Sequence, residues 1–132
     1  MPMSAQDNGD LIRSGYEAFS KGDMETIANL FAPDIRWSVS GRNVISGTYN
    51  GQDETFAFFG KIMELTDGTF TVAVHDLLAS DDHVVVLAKE SASRNGKSLE
   101  SDDVHVWHIA DGKAVEYWAI SKDQHEVDEF WA

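Results

Sequence analysis

The sequence predicts a single α+β domain, with helices first and an antiparallel sheet after them, on three observations. The first half repeats its apolar residues at helical spacing, whereas the second half, from residue 69 on, is rich in Val, Thr and aromatics. Asn95-Gly96 and Asp111-Gly112 punctuate that second half as two-residue hairpin signals, because both central positions of a type I′ turn need positive φ. A chain of 132 residues suits one core, which can bury roughly two-thirds of the unfolded surface without a metal or disulfide.

Residues 1–8 are polar and are expected to form a disordered tail, so the domain is placed at 9–132. Leu11, Ile12, Tyr16 and Phe19 give an amphipathic helix over 9–20. Gly22 suits the position after its end and Asp23 suits the next N-cap. Ile27, Leu30 and Phe31 form one face of a second helix, which Pro33 stops. Ile35 to Val39 alternates as a short strand, and Gly41, Gly47 and Gly51 mark the loop region that follows. Asp53 and Glu54 suit the first turn of a third helix with Phe56, Phe59, Ile62 and Met63 on its apolar face. Residues 69–79, 83–94, 97–110 and 113–121 read as four strands of a meander. Residues 123–131 add a short helix whose Val127, Phe130 and Trp131 cover a pocket mouth or a dimer partner.

Composition narrows function. There is no Cys, which excludes disulfides, zinc-thiolate sites, iron–sulfur clusters and thiol catalysis. A net charge of −13 disfavours nucleic acid and anionic membrane surfaces, and steers cationic small molecules in. No apolar run approaches the roughly 20 residues that span a bilayer. The first ten residues show no basic segment followed by an apolar stretch, so a cytoplasmic location is expected. No Gly-rich phosphate loop follows a strand, and no organic cofactor is expected.

With two-residue turns and no bulges, Asp111-Gly112 sets Ile109 opposite Ala114, Trp107 opposite Glu116, His105 opposite Trp118 and Asp103 opposite Ile120. Asn95-Gly96 sets Val86 opposite His105, Ala88 opposite Asp103 and Glu90 opposite Ser101. A turn at Asp81-Asp82 sets Leu77 opposite Val86 and His75 opposite Ala88. Alternation then divides the sheet. One face carries His75, Ala88, Glu90, Asp103, His105, Trp107, Glu116, Trp118 and Ile120, a mixture of aromatic, small and ionisable groups that suits a pocket wall. The other carries Val72, Val74, Leu78, Val85, Leu87, Val104, Val106, Val115 and Tyr117 and suits packing against helices or a second subunit.

On the pocket face Asp103 is the candidate acid/base, a carboxyl that an apolar surrounding would keep protonated near neutral pH. His105 is a candidate base or orienting donor, and His75 is a second one, two strands from Asp103 across Ala88. His83 and His108 read as loop and outer-face residues, and His125 as part of the tail. No His pair converges with a third ligand by spacing, so no metal site is expected.

Tyr16-Glu17-Ala18-Phe19-Ser20-Lys21-Gly22-Asp23, Leu30-Phe31-Ala32-Pro33-Asp34-Ile35, Gly47-Thr48-Tyr49-Asn50-Gly51, and Asp111-Gly112-Lys113 followed by Glu116-Tyr117-Trp118 occur in an order that resembles the nuclear-transport-factor-2-like superfamily, and within it the SnoaL-like and ketosteroid-isomerase-like branch. The resemblance covers the chain from about residue 9 to its end. It implies a cone-shaped barrel of the cystatin-like type, with three helices packed on a strongly curved antiparallel sheet around a deep apolar pocket. It also implies a homodimer joined through the outer sheet face. Tyr16 resembles the first-helix Tyr of the isomerases, Asp103 their oxyanion-hole Asp and Trp118 the family's late-strand Trp. The strand that holds the isomerase base has no carboxylate here; Val39 stands nearest that position.

The expected ligand contacts are Phe19, Trp37, Tyr49, Phe56, Phe59, Met63, Ala88, Glu90, Trp107, Trp118 and Ile120, beside catalytic Asp103, His105, His75 and Tyr16. The expected function is an acid/base isomerase, cyclase or hydro-lyase for a small polyketide-, steroid- or terpenoid-like molecule. The alternative is a non-catalytic ligand-binding or interaction domain of the same fold.

Overall fold

The computed structural model describes residues 4–132 as four helices and one six-stranded sheet. In chain order these are α1 (Ala5–Lys21), α2 (Met24–Leu30), β1 (Phe31–Val39), β2 (Gly47–Asn50), α3 (Gly51–Leu65), β3 (Thr71–Ala79), β4 (His83–Arg94), β5 (Lys97–Ala110), β6 (Lys113–Ser121) and α4 (Gln124–Phe130). The sheet order is β2-β1-β6-β5-β4-β3. The α+β class and its curved sheet are as expected, with two additions. Residues 47–50 form an edge strand rather than loop, and β1 joins β6 in parallel while every other pair is antiparallel.

α1 begins four residues earlier than its apolar spacing suggests. Ser4 accepts from the Asp7 backbone N–H and the Asp7 carboxylate accepts from the Ser4 N–H, a reciprocal cap that offsets the polar composition. Asn8 is buried, and its Nδ2 donates to the carbonyls of Ser80 and Asp81. Residues 4–8 of the expected tail are therefore capped and helical; its residues 1–3 lie outside the described residues. Gly22 at φ 69° ends α1 in the left-handed region, and Asp23 caps α2. α2 stops one residue short of the expected Phe31, which starts β1, so Pro33 lies exposed inside that strand.

The hairpin turns behave as their sequence requires. Asn95, Gly96, Asp111 and Gly112 all take positive φ. The β4/β5 register is the expected one throughout, including Val86 with His105, Ala88 with Asp103 and Glu90 with Ser101. The other two registers each contain a bulge, which puts two residues opposite one and bends the strand. In β6 the ladder steps from Ile109–Ala114 to His108–Glu116, so Trp107 faces Tyr117, His105 faces Ala119 and Asp103 faces Ser121. In β3 it steps from Val74–Ala88 to Asp76–Leu87, which leaves His75 without a partner.

The concave face packs against α1, α2 and α3 around a core that includes Ile12, Ile27, Phe31, Ile35, Trp37, Phe59, Ile62, Trp107 and Tyr117. One inner row crosses all six strands as Ala79, Val84, Trp107, Tyr117, Trp37 and Tyr49. α4 lies over the open end. Its Asp128 accepts from the Arg42 N–H, the Asn43 side-chain amide and Gln124, which ties residues 40–46 to the helix. No helix among the described residues is long and apolar enough to cross a membrane.

Candidate functional site

The concave face encloses a cavity of about 120 Å³, open at one end. Its apolar wall comes from the helices and from residues such as Phe19, Phe31, Trp37, Phe59 and Trp107. Its polar floor comes from neighbouring positions on β4 and β5. Glu90 lies opposite Ser101, and Asp103 and His105 follow at two-residue steps on the same face.

These groups form one chain of contacts. Trp107 Nε1 donates to the Tyr16 hydroxyl oxygen at 3.0 Å. Tyr16 Oη lies 2.6 Å from His105 Nδ1, and His105 Nε2 lies 2.9 Å from Glu90 Oε2. With Glu90 ionised and His105 neutral, each contact has one proton if Tyr16 O–H donates to Nδ1 and Nε2–H donates to Glu90. Ser101 Oγ donates to Asp103 Oδ1 at 2.5 Å. His105 is thereby occupied on both ring nitrogens, and it holds Glu90 in place rather than presenting a free nitrogen to the cavity.

The electrostatics follow from burial. Asp103 is pushed up to about 6, first by loss of water around its carboxyl and then by the neighbouring Glu90 charge. Tyr16 is raised well above the usual phenol range by burial, opposed by the Trp107 hydrogen bond. Tyr117 is raised for the same primary reason, with Glu90 the next largest cause. A buried carboxyl thus shares an apolar box with a second carboxyl group that raises its proton affinity further. That is the arrangement by which one carboxyl donates and accepts protons near neutral pH.

Of the residues expected at the site, Tyr16, Phe19, Trp37, Phe59, Glu90, Asp103, His105 and Trp107 line the cavity. The others do not. The β3 bulge turns His75 out to solvent and seats Val74 opposite Ala88, which is buried within the sheet beside Asp103 rather than on the cavity wall. The β6 bulge turns Trp118 and Ile120 to the outer face, where Ile120 is 56% exposed and Trp118 Nε1 donates to His108 Nε2. Met63 is 37% exposed because α3 is rotated so that Phe58 rather than Phe56 faces deepest inward. Phe56 packs on Phe31 behind the wall. Tyr49 packs on Phe58 and donates its hydroxyl to the Ile45 carbonyl.

The residue missed altogether is Tyr117, placed on the outer face by the unbulged register. It lines the cavity, its ring stacks on Trp37 at 3.7 Å, and its hydroxyl has no hydrogen-bond partner among the described residues. Trp37 Nε1 is likewise buried without an acceptor. The bulge also pairs Glu116 with His108 rather than with Trp107, the partner that the unbulged register predicts.

Glu90, Asp103 and His105 offer ligand-type atoms within 4.8 Å of one another and are the described residues that could hold a cation. A divalent ion that took His105 Nε2 as a ligand would displace its contact with Glu90.

The sequence and the fold match known proteins. Residues 12–117 match the SnoaL-like domain. The chain belongs to the SnoaL-like domain family. It is 32% identical to the uncharacterized protein Rv0034 of Mycobacterium tuberculosis over 124 residues, which cover 93% of this chain and 95% of the relative. Among solved structures it is similar to Bal32a from a soil-derived mobile gene cassette, with 34% identity, a TM-score of 0.94, and coverage of 97% of this chain and 98% of the other. It is also similar to TerC co-crystallized with polyporic acid, with 26% identity, a TM-score of 0.82, and coverage of 94% and 97%.

Proposed function

We propose that this SnoaL-like protein is an acid/base enzyme, independent of an organic cofactor, for a small and largely apolar molecule carrying a carbonyl or hydroxyl group. One ring of a polyketide-, steroid- or terpenoid-like substrate would occupy the cavity. The observation that carries the reading is the Asp103 carboxyl, buried on the cavity wall beside Glu90 and pushed up to about 6. TerC, a relative of the same fold crystallized with a small organic molecule, supports a ligand in this cavity.

In the proposed reaction, ionised Asp103 removes a proton from the carbon next to a carbonyl. The electron pair of that C–H bond forms a C=C bond to the carbonyl carbon, and the C=O π pair moves onto the oxygen, to which Tyr117 O–H donates. Return of the proton to another carbon completes an isomerisation; loss of a β-hydroxyl as water, with the proton supplied by Asp103, completes a dehydration. Glu90 raises the proton affinity of Asp103. His105 and Tyr16 are positioning residues that fix Glu90, and the aromatic wall excludes water.

The test starts from a thermal-shift panel of small ketones, lactones and phenols. A hit is then incubated in deuterated water with wild type and with Asp103→Asn. Wild type is expected to exchange the α-proton or convert the ligand, and Asp103→Asn to bind within a few-fold while losing at least about 100-fold in rate. Binding with no exchange or turnover in wild type, or equal rates in both proteins, overturns the catalytic reading and leaves a binding domain.

The proposal includes a homodimer joined through the convex face of the sheet. There Leu78, Val85, Val106 and Trp118 form one cross-strand row and Leu87, Val104 and Ile120 a second, with Leu78 and Ile120 each 56% exposed.

A further inference from the structure

Two carboxyl groups, Glu90 and Asp103, line the cavity, and none of its lining residues among the described ones is Lys or Arg. His105 Nε2 lies 2.9 Å from Glu90 Oε2, and Ser101 gives its hydroxyl to Asp103 Oδ1. No other N–H or hydroxyl among the described residues donates to either carboxyl group, and the two lie within hydrogen-bond reach of each other. Three aromatic rings flank this acid pair. Tyr16 stands edge-on to Trp107 with centroids 5.9 Å apart, and Trp107 meets Tyr117 at 4.7 Å. Acceptors without donors inside an aromatic wall are the chemistry that recognises an ammonium group, through charge-assisted hydrogen bonds and the ring faces together. Trp37 Nε1 independently calls for a ligand, because it is a buried donor on the cavity wall without an acceptor.

We propose that the pocket selects ligands carrying a protonated amine, with the ammonium seated between the Glu90 and Asp103 carboxylates and one ring filling the aromatic box. This rests on the reading of the cavity as an open ligand site and adds the ligand's charge. A cavity of about 120 Å³, somewhat below the roughly 150 Å³ that encloses a benzene, takes no more than one six-membered ring, with the rest of the ligand toward solvent. An oxygen on the same ligand would satisfy Trp37 Nε1 or the Tyr117 hydroxyl, so the substrate class is an amino ketone or amino alcohol. An ammonium uses only carboxylate oxygens, whereas a metal ion that took His105 Nε2 would break its contact with Glu90. The net charge of −13 steers the same class of ligand toward the mouth.

Three probes of one skeleton separate charge from shape: benzylamine, benzyl alcohol and benzoate, titrated by ligand-observed NMR at pH 7.5. Benzylamine is expected to bind at least about tenfold more tightly than benzyl alcohol, with benzoate not detected. In the Glu90→Gln/Asp103→Asn double variant the amine preference should vanish while benzyl alcohol binds as before, which also reports that the variant is folded. Benzyl alcohol binding as well as benzylamine to wild type overturns the amine proposal and leaves the open pocket standing. An amine preference that survives in the double variant overturns it too, since the charge would then act elsewhere. Binding by none of the three overturns the open pocket and the amine proposal together.

Discussion

Replacing Asp103 by Asn is expected to make the protein more stable at neutral pH, although the side chain sits in the candidate catalytic position. The folded carboxyl is held at about 6 against an ordinary value of 3.8, chiefly because burial strips its water. A group raised on folding favours the folded state fully below its unfolded value and loses that contribution as pH rises through its folded value. The difference between 3.8 and about 6 amounts to about 3 kcal/mol at about 1.4 kcal/mol per pH unit. Solvent reaching the carboxyl through the open end reduces this, so about 1–2 kcal/mol is expected at pH 7.5. Asn keeps the oxygen that accepts from Ser101 and offers an amide N–H to Glu90, so the exchange removes a charge and little packing. For a domain of this size the gain is about 3–8 °C in melting temperature. The assay is thermal unfolding of both proteins from pH 3.5 to 8. Their midpoints should coincide near pH 3.5 and separate between pH 4 and 7 as Asp103 ionises. A variant no more stable at pH 7.5, or a gap independent of pH, would refute the claim that Asp103 is a buried acid under desolvation strain.

Tyr117→Phe removes a hydroxyl that the protein does not use, so stability should change by less than about 0.5 kcal/mol while turnover of an identified ligand falls at least about tenfold; parallel melting and rate measurements check it. Leu78→Glu with Ile120→Glu places two charges on the convex face, where both side chains are exposed in the single chain; sedimentation should show a monomer with unchanged circular dichroism if that face joins two copies. Asn8→Ala strands the carbonyls of Ser80 and Asp81 and should cost about 1–3 kcal/mol in urea unfolding, whereas a freely moving N-terminus would give no effect.

What could be read from the residues was local. Helix spacing and the two positive-φ turns depend on neighbours along the chain, and they placed Asp103, His105 and Trp107 on the inner face correctly. The β1/β6 parallel pair joins segments some eighty residues apart and leaves no periodic mark in either. The bulges were hidden for another reason: one extra residue changes no composition, yet it exchanges the faces beyond it. Val74 and Leu77 carried the only trace, two apolar residues three apart in a strand, which cannot both point inward without an extra unit between them. The Glu90–His105 contact was beyond reach for a third reason, because those positions are not register partners and meet only through long side chains on a curved sheet.

Position 75 separates chemistry from geometry. His75 attracted notice as an imidazole, but its ring is in solvent and the structure uses only the length of backbone it adds to β3. Its identity should therefore be nearly free, and its presence should not be. Any residue content in an exposed strand serves as the spacer, whereas removing a single codon would straighten the strand and widen the cone. The quantity inherited at this site is a count, and the record of mutations it tolerates should be rich in substitutions and empty of deletions.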